Sequence, residues 1–388
     1  MLFWGSIAMS KSALKRRANE ARSWLSDACF PLWADRGMNS AGLFREVLDL
    51  DHGPAERDYA RVRVQARQTY FFAEALRLGW RPDISTDRIE HGLGILTGLA
   101  RRPDGLVGRL LNADGNGFLD DTPDLYDIAF TLFALGEADD ALGGMGETRA
   151  SAAALLDSVD RQMRDRVNGG YAEALPFPQI RQQNPHMHLL EACLSLHKVD
   201  PEGGHLARAG EIVTLFEARF TAGPGGLLGE RFAVDWGIPQ GRDAEIVEPG
   251  HQFEWVWLLH AYADASGMPV PDAAGTLYAF ACAALDADGR ACQEVTRDGE
   301  PADTSRRTWP QTEALKAHIT LFERTGEERF AAAACRSFDV LMDEFLTVDG
   351  GWIDHYGAEG EVLATDMPAS TGYHVVLAFA ELIRVMKA

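Results

Sequence analysis

Glu248-Pro249-Gly250-His251-Gln252-Phe253-Glu254-Trp255 opens an apolar run that extends to Tyr262, and its reading decides how the rest of the chain is organised. Proline is tolerated in the first turn of a helix, where its missing N–H has no intrahelical partner to lose. The segment therefore reads as a helix start. His251 and Glu254 are three residues apart and share one face of that helix. The arrangement recurs at His188 and Glu191 inside Asn184-Pro185-His186-Met187-His188-Leu189-Leu190-Glu191-Ala192, and His374 ends Thr371-Gly372-Tyr373-His374 at the start of the last apolar run. Polar residues gathered where apolar helices begin suit a closed ring with one common mouth. An open solenoid would need capping repeats and would spread its polar groups over a concave surface.

A cadence links these segments: an amphipathic stretch, a glycine-rich turn, another amphipathic stretch. The turns are Ser40–Phe44, Asp114–Phe118, Asn168–Tyr171, Gly223–Leu227, Asp288–Arg290 and Asp349–Trp352. Most intervals are about 55 to 65 residues, room for two helices and their connections, and a fixed period is the mark of a repeat architecture. Near-helical spacing of apolar residues runs through Ala60–Leu78, Leu125–Leu135, His186–Leu196, His251–Tyr262 and Gln311–Phe322. Strand signals are short, as in Gly351–Tyr356, and neither alternating βα units nor a Gly-x-Gly-x-x-Gly turn is present. We expect an all-α fold, a single (α/α)6 barrel of about twelve helices with short β-hairpins in its loops. No Pro-, Ser- or Gly-rich linker divides the chain, so residues 11–388 read as one catalytic domain. Residues 1–10 read as a flexible extension, since their apolar character precedes Lys11, Lys15, Arg16 and Arg17, the wrong order for a secretory signal.

Composition narrows the partners. A formal charge of -21 opposes binding to phosphate backbones and to anionic lipid. No apolar run approaches the roughly 20 residues that cross a bilayer. The five cysteines, Cys29, Cys193, Cys282, Cys292 and Cys335, are odd in number and embedded in helical pattern, which suits reduced thiols in a cytoplasmic protein better than a disulfide framework. No nucleic acid and no membrane partner is expected; a homodimer is left open.

The chemistry-bearing candidates each have a plain alternative. Arg67 follows Arg63 by one turn on the face that carries Tyr70 and Glu74. It reads either as an ion pair with Glu74 or as a guanidinium for sugar hydroxyls and a developing oxyanion. A lone buried histidine is ordinarily a satisfied core residue, but the repetition of His-x-x-Glu weakens that reading for His188 and His251. His186 points to another face and reads as structural. Arg307-Thr308-Trp309-Pro310-Gln311-Thr312-Glu313 places polar groups at a further helix entry, and Trp309 offers either a core side chain or a flat surface for the C–H face of a sugar.

On these motifs, in this order along nearly the whole chain, the sequence resembles the N-acylglucosamine 2-epimerase superfamily, sugar 2-epimerases and aldose–ketose isomerases built on (α/α)6 barrels. It is more similar to the bacterial mannose and sulfoquinovose isomerase branch than to the nucleotide-responsive epimerases. The resemblance implies catalytic roles for His374, His251, His188, Arg67 and Glu254. It implies sugar contacts from Asn184, Trp309, Glu191, Glu313, Arg242 and Tyr126. It further implies a mannose–fructose isomerase that needs neither cofactor nor metal, with a sugar 2-epimerase or a mannose-6-phosphate isomerase as alternatives. In that scheme His374 removes the C2 proton of an opened aldose, Arg67 stabilises the cis-enediolate, Glu254 orients His251, and His188 assists ring opening. Three other readings stand beside it: a His/Glu metal site, glycoside cleavage by carboxylates among Asp120, Asp121, Asp124 and Glu173, and a carbohydrate-binding protein without turnover.

Overall fold

The computed structural model describes the backbone of residues 2–387 and the side chains of residues 11–387; the extension expected over residues 1–10 lies outside the latter. Twelve helices of eleven residues or more follow one another among the described residues: α1 (Leu2–Trp24), α2 (Val62–Arg77), α3 (Pro82–Gly94), α4 (Leu125–Ala141), α5 (Gly146–Gln162), α6 (Asn184–Val199), α7 (His205–Leu215), α8 (Pro249–Ser266), α9 (Ala273–Ala283), α10 (Thr308–Thr325), α11 (Glu328–Val340) and α12 (Thr371–Lys387). The even-numbered helices form an inner ring in which each packs on the next and α12 returns to α2. The odd-numbered helices lie outside, α3 on α2 and so on to α11 on α10, with α1 against α12 and α11. This is the (α/α)6 barrel.

The inner helices are buried almost all round, because one side meets the outer ring and the other the barrel axis. A helix buried on both sides has no need of a single apolar stripe. Its polar residues then stand out as those facing the axis. Each inner helix is entered from a short antiparallel strand: Tyr59–Arg61, Phe118–Pro123, Arg181–Gln182, Ile246–Val247, Arg306–Arg307 and Met367–Pro368. The last of these pairs with Val47–Leu48, which ties the end of the chain to its beginning. Entry by strand brings all six inner N-termini to one end.

Each outer helix is followed by a turn that reverses the chain. Bridges Met38↔Phe44, Arg101↔Val107, Arg164↔Tyr171, Leu285↔Ala291 and Leu346↔Trp352 close five of these turns, and Pro224–Gly226 makes the remaining one. The sequence cadence is thus right in period but wrong at one member. Asp114–Phe118 is the tip of a hairpin between Gly108–Asn112 and Phe118–Pro123. The repeat's own turn lies at Arg102–Gly105, where Gly105 adopts φ 87°. Its single glycine left too weak a signal. Gly351–Tyr356 is strand only at His355–Tyr356, paired with Arg306–Arg307.

Candidate active site

The first turns of the inner helices surround a cavity of ≈ 280 Å³ lined by Arg67, Tyr126, Asn184, His188, His251, Glu254, Trp309 and His374, with Arg61, Glu248, Gln293, Arg307, Asp354, Ser370 and Thr371 at its walls and rim. A cavity of ≈ 620 Å³ opens among Phe133, Leu194, Trp257 and Leu377, and no histidine lines it. Chemistry, not volume, identifies the site.

Each of its three histidines is held through Nδ1 by a carboxylate, which leaves Nε2 as the free ring nitrogen. His374 Nδ1 lies 2.9 Å from Glu313 Oε1, and the other oxygen of Glu313 is ion-paired at 2.6 Å with Lys316 Nζ. Burial pushes His374 down to about 3 against the opposing pull of Glu313, so the ring is neutral. Burial also acts to raise Glu313, but Lys316 and His374 outweigh it and hold the carboxyl below its ordinary value. His251 is the reverse case. Its Nδ1 lies 2.8 Å from Glu230 Oε2 and 3.7 Å from Glu248 Oε2. Burial disfavours the charged ring, yet the two carboxylates raise His251 to about 10, so it is an imidazolium at neutral pH. His188 Nδ1 lies 3.0 Å from Glu191 Oε2, and Tyr373 Oη donates to Glu191 Oε1 at 2.5 Å. Burial, then the nearby Arg67, keeps His188 neutral.

Arg67 is buried without a carboxylate partner among the described residues. Its Nη2 donates to Tyr126 Oη at 2.7 Å and its Nη1 to Ser370 O at 3.3 Å, while the guanidinium lies 4.1 Å from the Phe130 ring centroid. Its Nε has no partner, nor have Asn184 Oδ1 and Glu254 Oε1. Such atoms are costly to bury unless something else satisfies them, and here they are set around one cavity. Burial, then the Glu313 charge, raises Glu254 well above the carboxylate range, so it stands as a neutral acid. Trp309 lies between His251 and His374, at centroid distances of 4.8 and 6.0 Å. Gly250 makes room for it, because a Cβ there would fall 2.4 Å from Trp309 Cζ3.

Several expectations need correcting. Glu254 does not orient His251; Glu230, from the loop before Arg231–Phe232, does so. Arg67 makes no ion pair with Glu74, which instead pairs with Arg77 at 3.0 Å. Glu191 and Glu313 stand behind His188 and His374 and are absent from the cavity wall. Arg242 is also outside it, exposed in the short helix Arg242–Glu245 and paired with Glu294. Asp120, Asp121, Asp124 and Glu173, the carboxylates of the glycoside-cleavage reading, are bound to Arg109, Arg102, Arg63 and Arg181 respectively, and none lines the cavity. His186 accepts from the Tyr171 amide at 3.0 Å as a structural residue. Glu230 and Lys316 were missed. A carboxylate in an irregular loop leaves no periodic signal, whereas Glu313-x-x-Lys316, a charged pair inside an apolar helix, was a readable one.

Two groups offer metal-ligand atoms within 4.8 Å of one another: Glu230, Glu248 and His251, and Glu254, Glu313 and His374. In the first group a metal would have to displace the proton that Glu230 and Glu248 hold on His251. In the second group Lys316 already supplies a cation to Glu313, and Glu254 holds its proton.

Fold and candidate site together define an (α/α)6 barrel with three histidine–carboxylate pairs at the mouth of its inner ring. Residues 42–378 match the N-acylglucosamine 2-epimerase (GlcNAc 2-epimerase) family model, and the chain belongs to that family. It is 36% identical to a mannose-6-phosphate isomerase of Rhizobium meliloti (strain 1021), over 96% of this chain and 98% of that protein. It is 27% identical to a D-mannose isomerase of Thermobifida fusca, over 68% and 69% of the two chains. Among solved structures, cellobiose 2-epimerase from Spirochaeta thermophila DSM 6192 superposes with a TM-score of 0.86 at 24% identity, covering 96% of this chain and 97% of the other. A D-mannose isomerase does so at 0.83 and 20%, covering 96% and 97%. No helix among the described residues is long and apolar enough to cross a membrane.

Proposed function

We propose that the protein interconverts mannose and fructose by proton transfer through a cis-enediolate, without a metal or cofactor. The observation that carries this reading is a neutral histidine, His374, facing one cavity with an uncompensated arginine, Arg67, and the carboxylic acid of Glu254. With Nδ1 occupied by Glu313, Nε2 of His374 is the base for the C2 proton of the open-chain aldose and returns it to C1. Arg67 offsets the charge that develops on the enediolate oxygens; the carboxylic acid of Glu254 protonates O1, and the carboxylate it becomes takes the O2 proton as the ketone forms, which restores the acid. Trp309 supports the sugar's C–H face, and Asn184 meets a hydroxyl.

A cavity of ≈ 280 Å³ lies just below the usual range of small-molecule sites, about 300 to 1,000 Å³, and suits a monosaccharide. A neutral one is favoured. Of the arginines at the rim, Arg61 is paired with Glu46 at 2.6 Å and Arg307 with Asp354 at 2.5 Å, so their charge is already offset and less of it is left for a phosphate. One observation favours a second reading, 2-epimerisation: the imidazolium of His251 is a ready proton donor for the opposite face of C2.

Proton NMR of the protein with mannose in deuterium oxide tests both, with His374→Ala as control. Fructose carrying deuterium establishes the isomerase, and glucose labelled at C2 establishes the epimerase. Turnover of mannose 6-phosphate alone would overturn the neutral-sugar assignment. No conversion of any of these sugars would leave a binding protein.

A further inference from the structure

Behind the cavity wall lies a buried charge cluster centred on Lys316, which does not itself line the cavity. Lys316 is fully buried one turn along α10 from Glu313, with its ammonium 2.6 Å from Glu313 Oε2 and 4.0 Å from the centre of the Trp257 ring, which walls it off from the opposite end of the barrel. Three buried carboxylates act on this one cation: Glu313 of its own helix, Glu254 of α8 and Glu191 of α6. A carboxylate taken out of water without a counter-charge keeps its proton. One ammonium therefore sustains one carboxylate, and contact selects Glu313.

Resting on the isomerase–epimerase reading above, we propose that Lys316 is a positioning residue that fixes the protonation pattern of the site. It keeps Glu313 ionised, so that Glu313 only accepts, His374 must present Nδ1–H to it, and Nε2 is left as the base. It leaves Glu254 without a cation of its own, so that Glu254 retains the proton it donates. An ionised carboxylate is acceptor-only and a neutral imidazole has one donor and one acceptor nitrogen, so the tautomer follows from the charge. Without Lys316, a protonated Glu313 would donate to Nδ1, and the proton of His374 would move to Nε2, where it blocks the base. The charged or titratable groups facing His374 and Lys316 from the surrounding helices include Arg67, His188, Glu191, Glu254, Glu313 and Tyr373, of which Arg67 and Glu313 act directly on His374.

The test compares Lys316→Met, Glu313→Gln and the double variant, reading kcat, KM, the rising limb of kcat against pH, and the ring nitrogen shifts of His374 in uniformly labelled protein without substrate. Lys316→Met should lower kcat near pH 7 by about a hundredfold with KM changed less than about threefold. Its rising limb should move upward by more than about one pH unit, because Glu313 then ionises only at higher pH. His374 Nδ1 should change from protonated to unprotonated. The double variant should lose nothing beyond Glu313→Gln, since the two residues act as one device. A Lys316→Met enzyme with near-normal kcat and an unmoved limb overturns the proposal, as does an unchanged His374 spectrum or a double variant whose losses multiply. If Lys316→Met does not fold, the double variant decides, because a buried ion pair replaced by neutral groups of similar shape is ordinarily tolerated. Full activity in Glu313→Gln also overturns the proposal, since an ionised Glu313 is then not needed, whereas an active His374→Ala would sink His374 as the base; a crippled Glu313→Gln beside an active Lys316→Met sinks Lys316 alone.

Discussion

Glu230→Gln removes the charge that makes His251 an acid while keeping the shape of its side chain. At 2.8 Å the interaction between the two unit charges is about 6 kcal/mol for an effective dielectric near 20, an upper bound on what the variant loses. Glutamine still offers an oxygen to Nδ1, and Glu248 remains at 3.7 Å. A single opposite charge moves a pKa by about 1 to 3 units, so His251 should fall from about 10 to between about 7 and 9. The imidazolium is the form present below its pKa. Activity that needs it is therefore lost as pH rises, and the falling limb of the kcat profile should move down by the same amount. Initial rates of epimer formation between pH 5 and 11, with the His251 C–H resonances followed in parallel, measure both; ketose formation, in which Glu254 supplies the proton, should keep its limb. The raised pKa also stabilises the fold: that contribution is complete below the unfolded value near 6.5 and is lost as pH rises through about 10. The melting deficit of the variant should be largest near pH 6 and shrink towards pH 10. A falling limb that stays in place in a folded variant refutes His251 as the acid.

Arg67→Gln should lower kcat by about 10²- to 10³-fold, the usual loss of an oxyanion donor, with little change in melting temperature because Arg67 makes no ion pair among the described residues. Circular dichroism and steady-state rates check both halves. Gly250→Ala places a methyl 2.4 Å from Trp309 Cζ3, so the indole must shift between His251 and His374, and KM for the sugar should rise. An unaltered KM would remove Trp309 from the binding surface. Dialysis against a chelator should leave turnover unchanged, since Lys316 already supplies the cation at Glu313. Loss restored by zinc or manganese would contradict that.

The helix starts at Pro185 and Pro249, the apolar runs behind them and the repeated turns are local features, governed by neighbours within a few residues, and they were legible without any structure. So was the placement of His188, His251, Glu254, Trp309 and His374 near the beginnings of inner helices, because a polar residue in a helix buried on both sides must face a cavity or a partner. Which partner each side chain finds was not legible. Glu254, one turn from His251, was the local choice, but the ring turns His251 towards Glu230, 21 residues away, and His374 towards Glu313, 61 residues away. Such contacts leave no period in the chain. The charge states follow from them: His251 and His374 are the same side chain, yet one is protonated beside two carboxylates and the other neutral in a buried pocket. Residue types and their positions along the helices come from the sequence; the closure of the ring decides which carboxylate stands behind which histidine, because burial removes the water that would otherwise make those differences small.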